Sequence, residues 1–273
     1  MTTRFAQHSA FSDPGSHGHL LRQLSGIEEI CAAVTNLGLH YTAEAHLLRA
    51  DRRHEINARW ISTILDLDQA RHPRPLLHPR PPADRVAGCC RDHALLAVAA
   101  LREHQIPART RVGFTPSPDF CGDHVIAEWW NGTRWQRFDP ELQPGSRTFN
   151  IRDFPTGEGA PFQTAAEVWT AYRASHLDPT RYGAHPALAG PTFIRAAVVH
   201  ELLHRNAHET LLWDEVGLNL TDPEADELAR LLLAADTGNP TAEADVAHHA
   251  TRLRPTTVTQ LSPYGDQPVT VDL

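Results

Sequence analysis

Residues 90–104 read C-R-D-H-A-L-L-A-V-A-A-L-R-E-H, and the fold turns on how that stretch is read. Ala94, Ala97, Val98 and Leu101 fall at i+4, i+7, i+8 and i+11 from Cys90, so the run is one strongly apolar helix that opens on a cysteine. It ends near Pro107, which cannot continue a helix. Downstream, A-R-T-R-V-G-F at 108–114 has strand character. The segments H-V-I-A-E-W-W and T-R-W-Q-R-F-D then flank Asn131-Gly132, a strong hairpin signal. With Asn131 and Gly132 as the two loop residues, Trp130 pairs with Thr133. The same register sets His124 opposite Asp139, about 5 Å apart on one face. A histidine facing a carboxylate suits a base and the group that orients it; the plain alternative is a surface pair at the ribbon's open end.

Cys90 supplies the matching nucleophile. A thiol at the first helical position meets the positive end of the helix dipole and free backbone N–H groups, which lower its pKa and can bind an oxyanion. Cys89, about 100° away on the Leu96 and Ala100 side, reads as a packing or loop thiol. Cys121 reads as a loop thiol and Cys31 as core.

Upstream, Ser25 to Leu37 reads as a helix capped by Ser25 with Glu28 and ended by Gly38. A second helix is expected from about Arg53 to Leu67, with Ile56, Trp60, Ile61 and Ile64 on one face. The stretch 71–85 carries five prolines and reads as an extended connector. Beyond Asp153, A-A-E-V-W-T-A-Y-R-A-S, F-I-R-A-A-V-V-H-E-L-L-H-R-N-A-H-E and E-A-D-E-L-A-R-L-L-L-A-A-D return to helical patterns. From Thr237 the chain reads as a loose tail. The expected organisation is an N-terminal helical region with its connector over 1–84, a core with following helices over 85–220, and a helix and tail over 221–273.

Composition narrows the function classes. All 25 basic residues are arginine, so no Schiff-base lysine, phosphate-loop lysine or lysine general base exists. The formal net charge of −8 argues against nucleic acid or an anionic membrane as a partner. No apolar run approaches the roughly 20 residues that span a bilayer, and the first ten residues lack a leader pattern. A cytoplasmic protein with reduced thiols is expected.

Taken in order, G-C-C-R-D-H-A-L-L from Gly88, L-R-x-H-x-I-P-A-R-x-R-x-G-F to Phe114, D-H-x-x-x-E-W-W from Asp123 and R-W-x-x-F-D-P to Pro140 resemble the transglutaminase-like superfamily. More narrowly, S-D-P-G near Asp13 and Asn206, Glu209, Trp213 and Asp214 resemble a group of bacterial transglutaminase-like proteins, so the resemblance runs over roughly 10–220. It departs at Gln105, where the family's strand entry has glycine, which implies a differently capped helix end. The resemblance implies an α+β, papain-like core, a central helix packed on an antiparallel sheet, with additional N- and C-terminal helices. It also implies thiol acyl chemistry: Cys90 attacks an amide or ester of a small molecule or peptide, His124 acts as base then acid, and Asp139 orients it. The acyl group passes to an amine or to water, and no cofactor is implied.

Other candidates stand beside that set. Trp129 or Trp130 would wall the acyl cleft, while Arg109 and Arg111 could anchor a substrate carboxylate or phosphate, or form buried ion pairs. Asp92 most simply serves the helix N-terminus, and could hold Arg91 or Arg109. His200-Glu201-Leu202-Leu203-His204 spells the H-E-x-x-H pattern in which two histidines bind zinc and a glutamate activates water, so a zinc peptidase is one alternative. The longer pattern with a third histidine fails, since Thr210 stands where it would be. A binding protein without catalysis is another alternative.

Overall fold

The computed structural model describes residues 2–157 and 159–273. Two compact units interleave along the chain. The first takes in residues up to Thr110 with Ile126–Phe154 and Ser262–Asp266; the second comprises Arg111–Val125, Pro155–Leu261 and Gln267–Leu273. The class is α+β, as the sequence implies.

The first unit opens with a 3-10 turn, Thr2–Ala6, and continues through α1 (Gly18–Leu21), α2 (Gly26–Leu37) and β1 (Gly38–His40). α3 (Ile61–Arg71), β2 (Val86–Gly88) and α4 (Cys90–Glu103) follow. α2 begins after Ser25 as expected, although Glu29, one residue beyond the expected partner, accepts the Ser25 N–H at 2.6 Å. The expected helix from Arg53 does not run through: a 3-10 helix, Ala50–Asn57, stops and α3 begins only at Ile61. Arg59 causes the break, because its φ of 56° lies in the left-handed region that a helix cannot accommodate.

The proline-rich connector is extended and is pinned by Arg80. This fully buried guanidinium pairs with Asp68 at 2.8 Å through two nitrogens and donates to the carbonyls of Pro75, Leu76 and His78. β1 and β2 then pair in parallel, with His40 aligned to Gly88. That pairing delivers the chain to the start of α4.

α4 is buried from Cys90 through Arg102, which is why its apolar pattern has no polar face. Its two buried arginines tie it to other segments as well as to its own ends: Arg91 donates to the Arg59 carbonyl and to Asp92, and Arg102 to the Ala108 carbonyl and Ser12. The C-terminus uses the left-handed exit that glycine usually supplies. Gln105 stands at φ 57°, its N–H donates to the Arg102 carbonyl, and the Ile106 N–H donates to the Leu101 carbonyl. The expectation of a different cap is therefore corrected: Gln105 adopts the conformation glycine would have.

β3 (Ala108–Thr115) and β4 (Cys121–Trp130) are neighbours, and β5 (Trp135–Phe138) pairs antiparallel with β4. Here the structure corrects the hairpin register. Trp130 pairs with Trp135 and Ala127 with Phe138, so one further step sets Ile126, not His124, against Asp139. The reason lies in the turn. The Asn131 side-chain oxygen accepts from the Thr133 N–H, the Thr133 hydroxyl and the Arg134 N–H, each at 2.9 Å, which places Asn131 before the two central residues. Gly132, at φ 100°, takes the first central position. The slip is two residues in the partner, and side chains alternate with period two, so His124 keeps the strand face of Ile126.

In the second unit, β6 (Gln163–Thr164) pairs with the end of β3, and β7 (Tyr182–His185) runs parallel to the start of β4 and pairs with β8 (Leu188–Ala189). α5 (Ala165–Arg173), α6 (Pro191–Arg205), α7 (Asp222–Asp236) and α8 (Pro240–Leu253) share a core that includes Trp169, Val198, Leu202, Leu228, Leu232 and Val246. The residues after Thr237 are not a loose tail. Beyond α8, β10 (Thr257–Gln260) joins β9 (Asp214–Glu215) to β11 (Val269–Asp272) in a three-stranded antiparallel sheet. Only the pairing of β10 with β9 is long-range, and the two short tail strands are too brief to give a clear alternation. No helix among the described residues is long and apolar enough to cross a membrane.

Candidate active site

Cys90 is the first residue of α4 and is 6% exposed. Cys89 stands at the N-cap in extended conformation, and Asp92 closes the turn by accepting the Cys89 N–H at 2.9 Å. Asp92 also holds Arg91 at 2.9 Å. The helix end is thus ordered around the thiol. Asp92 is the acidic residue of this first turn, where a carboxylate complements the positive end of the helix dipole.

The other thiols are set apart by their surroundings. Cys31, in the core face of α2, is pushed up to about 12 by burial, with Arg152 pulling slightly the other way. Cys89 interacts with the Cys90 thiol, which favours its thiolate, but burial and the Asp92 carboxylate outweigh this and its pKa is raised. Cys121, at the start of β4, is buried with its sulfur 3.8 Å from the Ser117 carbonyl oxygen.

Asp139 follows β5 directly and is 5% exposed. Its carboxylate accepts the Glu141 backbone N–H at 2.9 Å, and its carbonyl accepts from Arg152 at 3.4 Å. Glu141 in turn bonds Nδ1 of His93, a buried side chain one turn after Cys90 on α4. His40 Nε2 lies 4.0 Å from the same carboxylate. Sequence reading picks out none of His40, His93 and Glu141. The available signal is that His93 is three residues beyond Cys90 and so on its side of the helix.

His124 lies in the part of β4 that belongs to the second unit. Its neighbour Asp123 has a carboxyl pKa raised by burial, which the His124 and His185 side chains partly offset. Alternation along β4 puts Trp129 on the opposite face from His124, with Trp130 on the same one. Trp129 keeps a buried indole N–H with no hydrogen-bond partner among the described residues.

The two arginines proposed as substrate anchors are enclosed. Arg109, 1% exposed, donates to Glu128 at 2.6 Å and lies 3.9 Å over the Trp135 ring. Arg111 is fully buried, 2.6 Å from Glu201 and 2.7 Å from Asp236. Neither offers its guanidinium to solvent.

The H-E-x-x-H residues on α6 are likewise occupied. Glu201 takes the Arg111 pair and the Ala166 N–H at 2.8 Å, so its carboxylate is not poised over a water. His204 Nε2 is 3.0 Å from the Thr210 carbonyl oxygen, which makes that nitrogen a donor and removes its metal-binding lone pair. His200 Nδ1 meets the Thr210 hydroxyl at 3.2 Å. The motif is a staple between α6 and the following loop. Among the described residues, His200 and His204 join no cluster of three metal-capable side chains.

Residues 58–140 match the model of the transglutaminase-like superfamily, a narrower span than the motif resemblance and one that contains Cys90, His124 and Asp139. Over that segment the chain is similar to transglutaminase-like domains. No curated protein matches the chain. One solved structure, named "Putative Cysteine Protease from Cytophaga hutchinsonii", is 18% identical with a TM-score of 0.33. The match covers 50% of this chain and 41% of that one, so the chain spans less than half of that protein.

Proposed function

We propose that this chain is a cysteine-dependent enzyme that performs acyl transfer or amide hydrolysis through a thioester on Cys90. The observation that carries the reading is Cys90 opening the buried helix α4 inside the segment that matches the superfamily model. His124 on β4 and Asp139 directly after β5 lie in the same matched segment.

In this reading His124 takes the thiol proton as the sulfur attacks a carboxamide or ester carbonyl. The C–N or C–O bond breaks, and His124 returns the proton to the leaving amine or alcohol. An amine or water then attacks the thioester, gives its proton to His124, and the thiol is restored as the acyl group leaves. Asp139 orients the imidazole, and backbone N–H groups at the start of α4 stabilise the oxyanion. Because the chain lacks lysine, an amine acceptor other than its own N-terminus must come from outside.

The substrate class is an amide- or ester-containing small molecule or peptide. Intact-mass analysis after incubation with such donors should find an acyl group on Cys90 and none on Cys90→Ala. A protein that captures no acyl group, and whose Cys90 reacts with iodoacetamide no faster than Cys31, overturns the reading.

A further inference from the structure

His93 occupies an unusual position. It sits one turn beyond Cys90 on α4, buried, with Nδ1 bonded to Glu141 and Nε2 lacking a hydrogen-bond partner among the described residues. Its free nitrogen faces Gly38 beside a small cavity bordered by Leu37, Ile64, Gly88 and Asp92. A side chain at position 38 would place its Cβ 2.1 Å from that nitrogen, so only glycine admits the ring in this orientation. Glu141 is equally committed: its carboxylate meets His93 and lies near His40, while its backbone N–H holds the Asp139 carboxylate at 2.9 Å.

A short chain of bonds therefore links the first turn of α4 to the segment after β5. We infer that His93 and Glu141 are positioning residues that fasten the helix turn carrying Cys90 to the carboxylate of Asp139. The inference rests on the reading of Cys90 and Asp139 as members of the reacting set. Neither His93 nor Glu141 needs to touch the substrate. Glu141 sets the direction of the Asp139 carboxylate through its backbone N–H, and His93 sets where Glu141 sits.

Charge supports the link. Burial works against an imidazolium at His93, but the carboxylates of Glu141, Asp92 and Asp139 outweigh it, and the His93 pKa stands above the ordinary histidine value. The bond to Glu141 is thus charge-assisted, which makes it shorter and stronger than a neutral one. The alternative, an isolated structural histidine, does not account for a partner whose own N–H is bound to Asp139.

The test uses iodoacetamide as probe and follows each cysteine by peptide mass over roughly pH 5–9, a range that brackets histidine and thiol titration. In the parent protein, His124→Ala should slow Cys90 alkylation at neutral pH and leave Cys31 unchanged. Glu141→Gln, which keeps the side-chain shape and the backbone N–H, should slow Cys90 about tenfold and raise the midpoint of its pH profile by about one unit, the equivalent shift. His93→Gln should do the same, and Glu141→Asp should restore part of the loss. A purely structural role would lower the melting temperature without moving the midpoint. If parent Cys90 is reactive and both variants keep its rate and midpoint, the positioning inference fails and the proposed function stands. If parent Cys90 is no more reactive than Cys31, both fail. Should His93→Gln not fold, Glu141→Gln decides alone.

Discussion

Arg111 on β3 and Glu201 on α6 form a fully buried ion pair at 2.6 Å, with Asp236 on α7 as a second partner of the arginine at 2.7 Å. One contact thereby accounts for two residues that sequence reading would assign to function, a substrate anchor and a zinc-peptidase glutamate. Neutralising Glu201 leaves Arg111 paired with Asp236 but weakens one buried charge-assisted hydrogen bond, a loss of about 1.5–3 kcal/mol. Glu201→Gln should lower stability by that order in urea unfolding, while any Cys90-dependent activity should survive treatment with a metal chelator. Activity abolished by chelation and restored by zinc would return the H-E-x-x-H reading to consideration.

Backbone strain at two helix ends gives a prediction of opposite sign. Gln105 after α4 and Ala207 after α6 hold φ at 57° and 60°, and in both cases the following N–H reaches back to the last helical turn. A left-handed residue with a Cβ costs roughly 1–2 kcal/mol, partly offset by the added chain entropy of glycine. Gln105→Gly and Ala207→Gly should each stabilise by about 0.5–1 kcal/mol. Chemical unfolding of the two variants and their combination measures this, and because the sites are independent helix ends their effects should add.

Gly38→Ala should destabilise for the contrary reason. Its Cβ would fall 2.1 Å from His93 Nε2, and the obstructing ring is itself fixed by Glu141. Overpacking of this kind costs about 1–3 kcal/mol. Thermal melting of Gly38→Ala alone and in a His93→Ala background separates clash from general strain: the second substitution should recover much of the first one's loss.

The raised pKa of His93 makes its contribution to stability depend on pH with a definite sign. A group whose folded-state pKa lies above its unfolded value stabilises fully below the unfolded value, about 6.5 for histidine, and loses that contribution as pH rises through the folded value. The groups facing the ring are Glu141 and Asp139 after β5, Asp92 on α4 and His40 on β1. The difference in unfolding free energy between parent and His93→Gln should therefore be largest near pH 6 and shrink as pH rises. A difference that is constant over that range would show that folding does not raise the His93 pKa, and one that grows with pH would show a ring held neutral in the folded state.

Much of this fold is legible along the chain. The apolar run from Cys90 dictates α4, because burial on all sides leaves no polar stripe to interrupt it, and Gly38, Asn131-Gly132 and the proline run mark real boundaries. Legibility fails where distant groups decide. Arg59 breaks the helix expected from Arg53, the Asn131 side chain moves the hairpin by one residue on each strand, and β10 finds its second partner, β9, far upstream in the chain. The candidate site divides similarly: Cys90 and Asp139 stand out by motif, whereas His40, His93 and Glu141 become a group only when β1, α4 and the end of β5 come together.

By itself the sequence determined the helix that carries Cys90, the strand that carries His124, the carboxylate after β5 and the exclusion of lysine chemistry. These follow from local pattern and residue identity, which need no folded chain. Tertiary structure alone decided that Arg109, Arg111 and Glu201 are spent on buried ion pairs, that His200 and His204 brace a loop, and that His93 reaches Asp139 through Glu141. The physical reason is that a charged or titratable side chain takes its role from the partner that meets it on burial, and that partner is set by packing between segments far apart in sequence.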